Sequence, residues 1–276
     1  MKRAYIIGHP LGHSLSPLMH NAAFKHLGIE AEYLKRDVDL DGLEQTLTML
    51  RSKDVFGANV TVPYKLEVMK YLDEISAEAL AIGAVNTIVN KKGKLHGYNT
   101  DADGYIRALK EEAGFNPKAK VAVLLGAGGA ARAVAYALLM NRVKKLYIYN
   151  RTEEKAVRIA KDFADLGDIR AINQARFIKE IVGCDIFVNA TTVGMEKDGK
   201  DSKQSPIEKM PRKSFVSDLI YKPAETKLLA DARKKGLKVQ NGLPMLVYQG
   251  ALAFEMWTGK TAPVEIMFRA LNSKAN

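Results

Sequence analysis

Cysteine is almost missing from this chain: Cys184 is the only one. No internal disulfide can form, so no crosslink holds the fold. Cys184 lies in the apolar run Ile181-Val182-Gly183-Cys184-Asp185-Ile186, where a buried inert thiol is expected rather than a nucleophile. Long apolar runs are missing too. Nothing approaches the ~20 residues of a membrane span, and the opening stretch Met1–Pro10 has too short an apolar run for a signal peptide. A long basic run is also absent. The net charge of +11 is scattered, with short pairs at Lys91-Lys92, Lys144-Lys145 and Lys234-Lys235. Such scatter suits small anionic partners or a solvated surface, and argues against nucleic acid. His13 and His20 have no metal-ligand companions, so no metal site is expected. These absences leave a cytoplasmic enzyme as the default.

What is present is an ordinary globular composition. Of 276 residues, 47% are hydrophobic and 26% charged, enough for one large domain or two modest ones. Short apolar runs alternate with helical patterns, which predicts an α/β fold. Strands are expected at Tyr5–Ile7, Glu32–Arg36 and Asn59–Val62. Helices are expected at Pro17–Leu27, Gly42–Leu50 and Tyr64–Leu72. A hairpin of Ala84–Val89 and Leu95–Tyr98 turns over Lys92-Gly93, and Asp103 caps a helix to Glu112. After the polar stretch Asn116–Lys120, the alternation becomes regular. Strands at Val121–Leu125, Lys145–Tyr149, Ile186–Asn189, Phe215–Asp218 and Lys238–Gln240 predict a doubly wound parallel sheet with right-handed crossovers. Residues 198–212 read as a loop. Leu243–Trp257 and Pro263–Leu271 read as closing helices. The polar Gln249 in them needs a cleft to face, so they are expected to return to the first domain. The expected domains are 1–102, 103–241 and this tail, 242–276.

Two motifs carry chemistry. The first is Asn59-Val60-Thr61-Val62-Pro63-Tyr64-Lys65. Alternation puts an amide and a hydroxyl on one strand face and two valines on the other. Pro63 ends the ladder, and Lys65 follows at once. Amide, hydroxyl and amine together suit a polyhydroxylated molecule and a proton transfer. The second is Gly126-Ala127-Gly128-Gly129-Ala130-Ala131, after a strand and before an apolar helix. This is the G-x-G-x-x-A dinucleotide fingerprint in its proper setting, with the helix N-terminus facing a pyrophosphate. The next strand ends in Asn150-Arg151-Thr152, with Lys155 one turn on. An NAD site usually places an acid there for the ribose 2′-hydroxyl. An amide, a guanidinium and a hydroxyl instead suit a 2′-phosphate, so NADP is the expected cofactor. The blander alternative for Arg151 is a solvated cap residue.

Further polar clusters stand at Gly8–Pro17, Ala84–Thr87 and Gly97–Asp101. Ser16 can be a helix cap before Pro17; Ser14 is not explained that way. In these blocks the chain resembles the shikimate dehydrogenase family. The likeness runs through Gly8–Asn21, Asn59–Lys65, Ala84–Thr87, Asn99–Gly104, Gly126–Ala131 and Asn150–Thr152. It continues through Asn189–Thr191 with Gly194-Met195, Asp218–Pro223, Met245–Ala251 and Trp257–Gly259. Gly12 before His13, Tyr64 where Phe is common, and Thr192 depart from the pattern.

The resemblance implies reversible NADP-dependent interconversion of 3-dehydroshikimate and shikimate, on the route to chorismate and the aromatic amino acids. It implies two α/β domains, the second of Rossmann type. Ser14 and Ser16 would hold the substrate carboxylate, with Tyr221 nearby. Asn59, Thr61, Asn86, Asp101 and Gln249 would hold its hydroxyls. Lys65 and Asp101 would form the catalytic pair. Thr191, Leu219, Gly242 and Met245 would lie near the nicotinamide. The expected partners are the small-molecule substrate and no nucleic acid or membrane, with the chain a monomer or homodimer. Three alternatives stand beside this: an NAD-using quinate/shikimate dehydrogenase, a nucleotide-sensing protein without catalysis, and, last, a nucleic-acid binder. A helix cap remains a rival role for Asp101, and a surface lysine at a helix start a rival role for Lys65.

Overall fold

The computed structural model describes residues 1–195 and 206–272. The chain divides into two compact units, Met1–Gly104 with Leu246–Asn276, and Tyr105–Met245. The first stretch carries β1 (Lys2–Gly8), α1 (Ser16–His26), β2 (Ala31–Asp37), α2 (Leu43–Met49), β3 (Val55–Val60) and β4 (Glu74–Ile75). It goes on through α3 (Ala77–Ile82), β5 (Thr87–Lys91), β6 (Lys94–Tyr98) and α4 (Asp101–Arg107). Then come β7 (Val121–Leu125), α5 (Gly129–Met140), β8 (Lys145–Tyr149), α6 (Glu153–Asp162), β9 (Ile169–Ala171) and α7 (Gln174–Glu180). The strands β10 (Ile186–Asn189) and β11 (Phe215–Asp218) are followed by α8 (Lys227–Lys234), β12 (Lys238–Gln240), α9 (Leu243–Thr258) and α10 (Val264–Asn272).

In the first unit the strand order is β2-β1-β3-β5-β6-β4. β1 runs parallel to β2 and β3, whereas β5 is antiparallel to β3 and to its hairpin partner β6. Positive φ at Lys92 (55°) and Gly93 (89°) makes the tight hairpin turn. One sheet face buries Tyr5, Ile7, Val55 and Ile88 against Leu43 and Leu47 of α2. Ala23 and Phe24 of α1 are buried with Phe254 and Trp257 of α9, and α10 lies along α1. The Trp257 indole N–H donates to the Ile88 carbonyl, 3.0 Å away.

Gly57 makes that approach available. Its φ is +153°, and an added Cβ would overlap the Ile88 carbonyl oxygen and sit 2.8 Å from the Trp257 indole nitrogen. Gly57→Ala is expected to destabilise the protein by about 3 kcal/mol or more. Urea unfolding checks this, and a loss below about 1 kcal/mol would mean that the backbone relaxes freely there.

In the second unit the order is β12-β11-β10-β7-β8-β9, with every pairing parallel. Parallel strands covered on both faces read as apolar runs, which is why β7, β8 and β10 fall on the expected residues, while β11 and the short, polar-ended β12 also lie where they were expected. β9 was not expected: three residues with Arg170 in the middle carry no run. The strand order reverses at β7, so a crevice is expected at its carboxyl end.

Several expectations need correction. Tyr64–Leu72 is not a helix but a series of turns followed by a 3-10 turn, Glu67–Tyr71. The Lys65 carbonyl, which a helix would direct to residue 69, accepts instead from the Val85 N–H at 2.7 Å. The strand containing Asn59 ends at Val60, and Val62 is 60% exposed, so the two valines do not share a buried face. The expected strand at Ala84 begins only at Thr87. α4 starts at Asp101, and Asp103 lies inside it rather than capping it. The Asn99 Oδ1 accepts from the Asp101 and Ala102 amides at 3.0 and 3.3 Å, so Asn99 does the capping. Of the expected loop at 198–212, residues 198–205 lie outside the described residues, and Pro206–Lys209 form a 3-10 turn.

Candidate active site

In the first unit, five of the expected side chains meet in one buried polar cluster. Asp101 opens α4 and is 4% exposed. Its Oδ2 accepts from Lys65 Nζ at 2.5 Å, and its Oδ1 from Asn86 Nδ2 at 2.9 Å. Asn86 cannot turn over, because its Oδ1 accepts from the Thr100 backbone N–H at 2.7 Å. Its Nδ2 therefore faces Asp101 and the Gln249 Oε1, 3.2 Å away. Gln249 is anchored by its own Nε2, which donates to the Leu246 carbonyl at 2.8 Å. Gly104 brings α9 near enough for this: a Cβ there would stand 2.7 Å from the Gln249 backbone nitrogen.

Asn59 joins the cluster from the end of β3, its Nδ2 donating to Thr87 Oγ1 at 3.2 Å. Lys65 comes from the turns after Pro63, and its side chain is 12% exposed. Neither rival role survives. Lys65 is not a surface residue at a helix start, and Asp101 spends both carboxylate oxygens on side chains while Asn99 caps the helix.

Thr61, Ser14 and Ser16 make no hydrogen bond to this cluster among the described residues. Thr61 lies past the strand end, where its N–H still donates to the Ile7 carbonyl at 2.9 Å. A Cβ on Gly8 would overlap its methyl group, so Thr61 flanks the start of the Gly8–Ser16 loop. That loop is pinned by Asp37, which accepts from the Leu11 N–H and the His9 imidazole, both at 2.7 Å. These bonds hold the Asp37 carboxyl below the usual carboxylate range. Ser14 Oγ accepts from the Ser16 N–H at 3.4 Å. Ser16 is the first helical residue and is buried, so it does not serve as the cap expected of it.

Tyr33, Thr87, Asn99 and Thr100 belong to this network and were missed as site residues. Thr87, Asn99 and Thr100 lay inside the polar clusters already singled out, which was signal enough. Tyr33 had none, since an aromatic in a strand reads as core.

In the second unit, Gly126 follows β7 with φ +118°, and a Cβ there would meet the Ala190 carbonyl oxygen at 2.9 Å and Thr191 Cγ2 at 3.1 Å. Gly128 precedes α5 with no side-chain cap, and the space where its Cβ would stand is open. The first-turn amides of α5, beyond Ala127 and from Gly129 and Ala130 onward, have no helical acceptor. Ala131 is fully buried beneath them. Asn150 Nδ2 donates to the Thr152 carbonyl at 2.8 Å, which shapes the turn carrying Arg151. Arg151, Thr152 and Lys155 are exposed, and neither cation has an ion pair among the described residues. The Thr191 N–H and hydroxyl both donate to Asn189 Oδ1, at 3.1 and 2.7 Å. Leu219 hydrogen-bonds the Asn189 carbonyl at 2.9 Å, and a Cβ on Gly242 would overlap the Leu219 carbonyl oxygen. Met245 is buried and Tyr221 half-buried; burial raises the Tyr221 phenol. Cys184 is 1% exposed, and burial pushes its thiol up to about 12, which leaves it unreactive.

Three family models match successive stretches of the chain. Residues 6–88 match the model of the shikimate dehydrogenase substrate binding domain. Residues 108–219 match shikimate / quinate 5-dehydrogenase, and 242–271 the shikimate 5′-dehydrogenase C-terminal domain. A shikimate dehydrogenase (NADP(+)) of Desulforamulus reducens is 46% identical over 98% of this chain and 94% of its own. The chain belongs to the shikimate dehydrogenase family. Two solved members of that family bear this out in three dimensions. A shikimate dehydrogenase in complex with NADP+ is 42% identical, with a TM-score of 0.90 over 100% of this chain and 96% of its own. The Thermus thermophilus shikimate 5-dehydrogenase, in complex with NADP(H) and shikimate, is 40% identical with a TM-score of 0.89 over 99% of both chains. No helix among the described residues is long and apolar enough to cross a membrane.

Proposed function

We propose that this chain catalyses the NADP-dependent, reversible reduction of 3-dehydroshikimate to shikimate, on the route to chorismate and the aromatic amino acids. It works in the cytoplasm, as a monomer or homodimer. The observation that carries this reading is the buried Lys65–Asp101 pair, with Asn86 and Gln249 fixed around it. A structural ion pair has no need of two oriented amides.

The second unit fits the cofactor. Open space at Gly128, uncapped α5 amides behind it and the cations Arg151 and Lys155, exposed and without an ion pair among the described residues, suit a pyrophosphate and a 2′-phosphate. Gly126, Ala127, Gly129, Ala130, Asn150 and Thr152 line the same turns, and Thr191, Leu219, Gly242 and Met245 would lie toward the nicotinamide. When bound, NADPH supplies the hydride.

The chain does the rest. The Asn59 and Asn86 amides and the Thr61 and Gln249 side chains orient the hydroxyls of the substrate, and Ser14 and Ser16, with Tyr221 nearby, take its carboxylate. As the carbonyl carbon is reduced, negative charge grows on its oxygen. The Lys65 ammonium meets that charge and delivers the proton. Asp101 holds the ammonium in line, and its carboxylate oxygens keep lone pairs to accept from a substrate hydroxyl as well.

A spectrophotometric assay of NADP reduction with shikimate and quinate side by side tests the reading. Turnover of shikimate is the expected result, and failure to reduce NADP with shikimate sinks it. Asp101→Asn separates catalysis from scaffolding, because Asn99 still caps α4. Helix content by circular dichroism is expected to stay put while kcat falls about 10²-fold. A kcat within a few-fold of wild type would remove Asp101 from the pair.

A further inference from the structure

A buried aromatic stack beneath Asn59 takes no part in the chemistry above. Tyr33 lies on β2, 1% exposed, and its hydroxyl donates to Asn59 Oδ1 at 2.8 Å. The His20 ring of α1 lies flat on it, centroids 4.3 Å apart and planes 8° from parallel. Trp257 leans on both rings, at 5.3 and 6.0 Å. His20 is fully buried, and among the described residues no partner stands in good hydrogen-bond geometry to either ring nitrogen, the Asn59 side chain being the polar group beside it. Burial pushes its imidazole down to about 3, with the Asn59 side chain pulling weakly the other way, so the ring stays neutral at working pH. It is a flat, uncharged support for the phenol.

The partners of the Asn59 amide fix which way it points, and the stack supplies one of them. The two ends of its amide have nearly the same shape but opposite hydrogen-bonding character. The Asn86 backbone carbonyl, 3.4 Å from Nδ2, can only accept, and Thr87 Oγ1 lies 3.2 Å from the same nitrogen. That end must be the NH₂ group. The other end is then the carbonyl oxygen, and the Tyr33 hydroxyl is the donor it meets. Of the two acceptors, the Asn86 carbonyl is at the long limit of a hydrogen bond, so the N–H nearest it is the one a substrate hydroxyl can take over.

We infer that Tyr33 is a positioning residue for the substrate: its hydroxyl locks the Asn59 amide so that Nδ2 faces a substrate hydroxyl. The inference rests on the reading of Asn59 as a substrate contact. Without the phenol oxygen, Asn59 Oδ1 loses its donor and the amide is anchored only through Nδ2, so its position is less tightly held.

A double-mutant cycle tests this. Wild type, Tyr33→Phe, Asn59→Ala and the double variant are compared by KM for shikimate, KM for NADP and melting temperature. Tyr33→Phe removes one oxygen and keeps the ring stack. It is expected to raise the KM for shikimate about tenfold, with kcat less affected and the KM for NADP unmoved. In the Asn59→Ala background it adds nothing. If Tyr33→Phe leaves KM unchanged in wild type, or raises it equally in both backgrounds, Tyr33 does not act through Asn59. If Asn59→Ala itself leaves the KM for shikimate unchanged, the substrate contact is wrong and this inference falls with it. Shikimate turnover by wild type stands as the separate test of the function. Calorimetric titration with shikimate alone repeats the cycle without turnover, at a temperature where every variant is folded.

Discussion

Lys65→Ala is expected to lower kcat about 10²–10⁴-fold while the KM for shikimate stays within a few-fold. The asymmetry follows from what the ammonium does. It meets charge that exists only as the carbonyl oxygen is reduced, so its removal is felt in the transition state and hardly in the ground state. Binding is left to the amides and hydroxyls around it. Asp101 holds Lys65 Nζ at 2.5 Å, and Asn86 keeps Asp101 in place through the other carboxylate oxygen, so the amine arrives already oriented. Steady-state kinetics in both directions is the check. If kcat stays within a few-fold of wild type, Lys65 neither delivers the proton nor stabilises the oxyanion. Lys65→Arg sharpens the point, since it keeps a cation but cannot give up its proton. A rate near that of Lys65→Ala would mean that proton transfer matters most. A rate near wild type would mean that charge alone suffices.

The second large effect is expected at the cofactor. Arg151→Ala should raise the KM for NADP about 10–100-fold, the worth of one or two charge-assisted hydrogen bonds. The KM for NAD, which has no 2′-phosphate, should barely move, and neither should the KM for shikimate. Arg151 and Lys155 are exposed and have no ion pair among the described residues, so no described carboxylate competes with a phosphate for them. The same exposure makes the preference sensitive to salt. Replacing Lys155 as well should deepen the loss. Equal losses with NADP and NAD would show that Arg151 supports the turn and does not read the phosphate.

The second unit was easier to read than the first. Val121–Leu125 and its parallel neighbours are apolar on both faces and bounded by charges, glycines or asparagine, so periodicity placed their ends. In the first unit, partners far along the chain overrode local pattern. Tyr64–Leu72 has helical spacing, but Val85 takes the Lys65 carbonyl. Asp103 looks like a cap, but Asn99 reaches the helix amides first. Tyr33 looks like core, and its ring is core; only its hydroxyl belongs to the site.

By itself the amino-acid sequence determined the α/β class, the glycine turn after β7, the cations in place of an acid after β8 and the residue types at the proposed catalytic pair. These are properties of residue type and spacing, and they survive any detail of packing. Tertiary structure decided which way each polar group points. The Asn86 amide is set by the Thr100 N–H, Asp101 is freed from capping by Asn99, and Asn59 is held between Tyr33 and Thr87. A side chain carries its donors and acceptors in its formula, but only its buried neighbours determine which of them is left for the substrate.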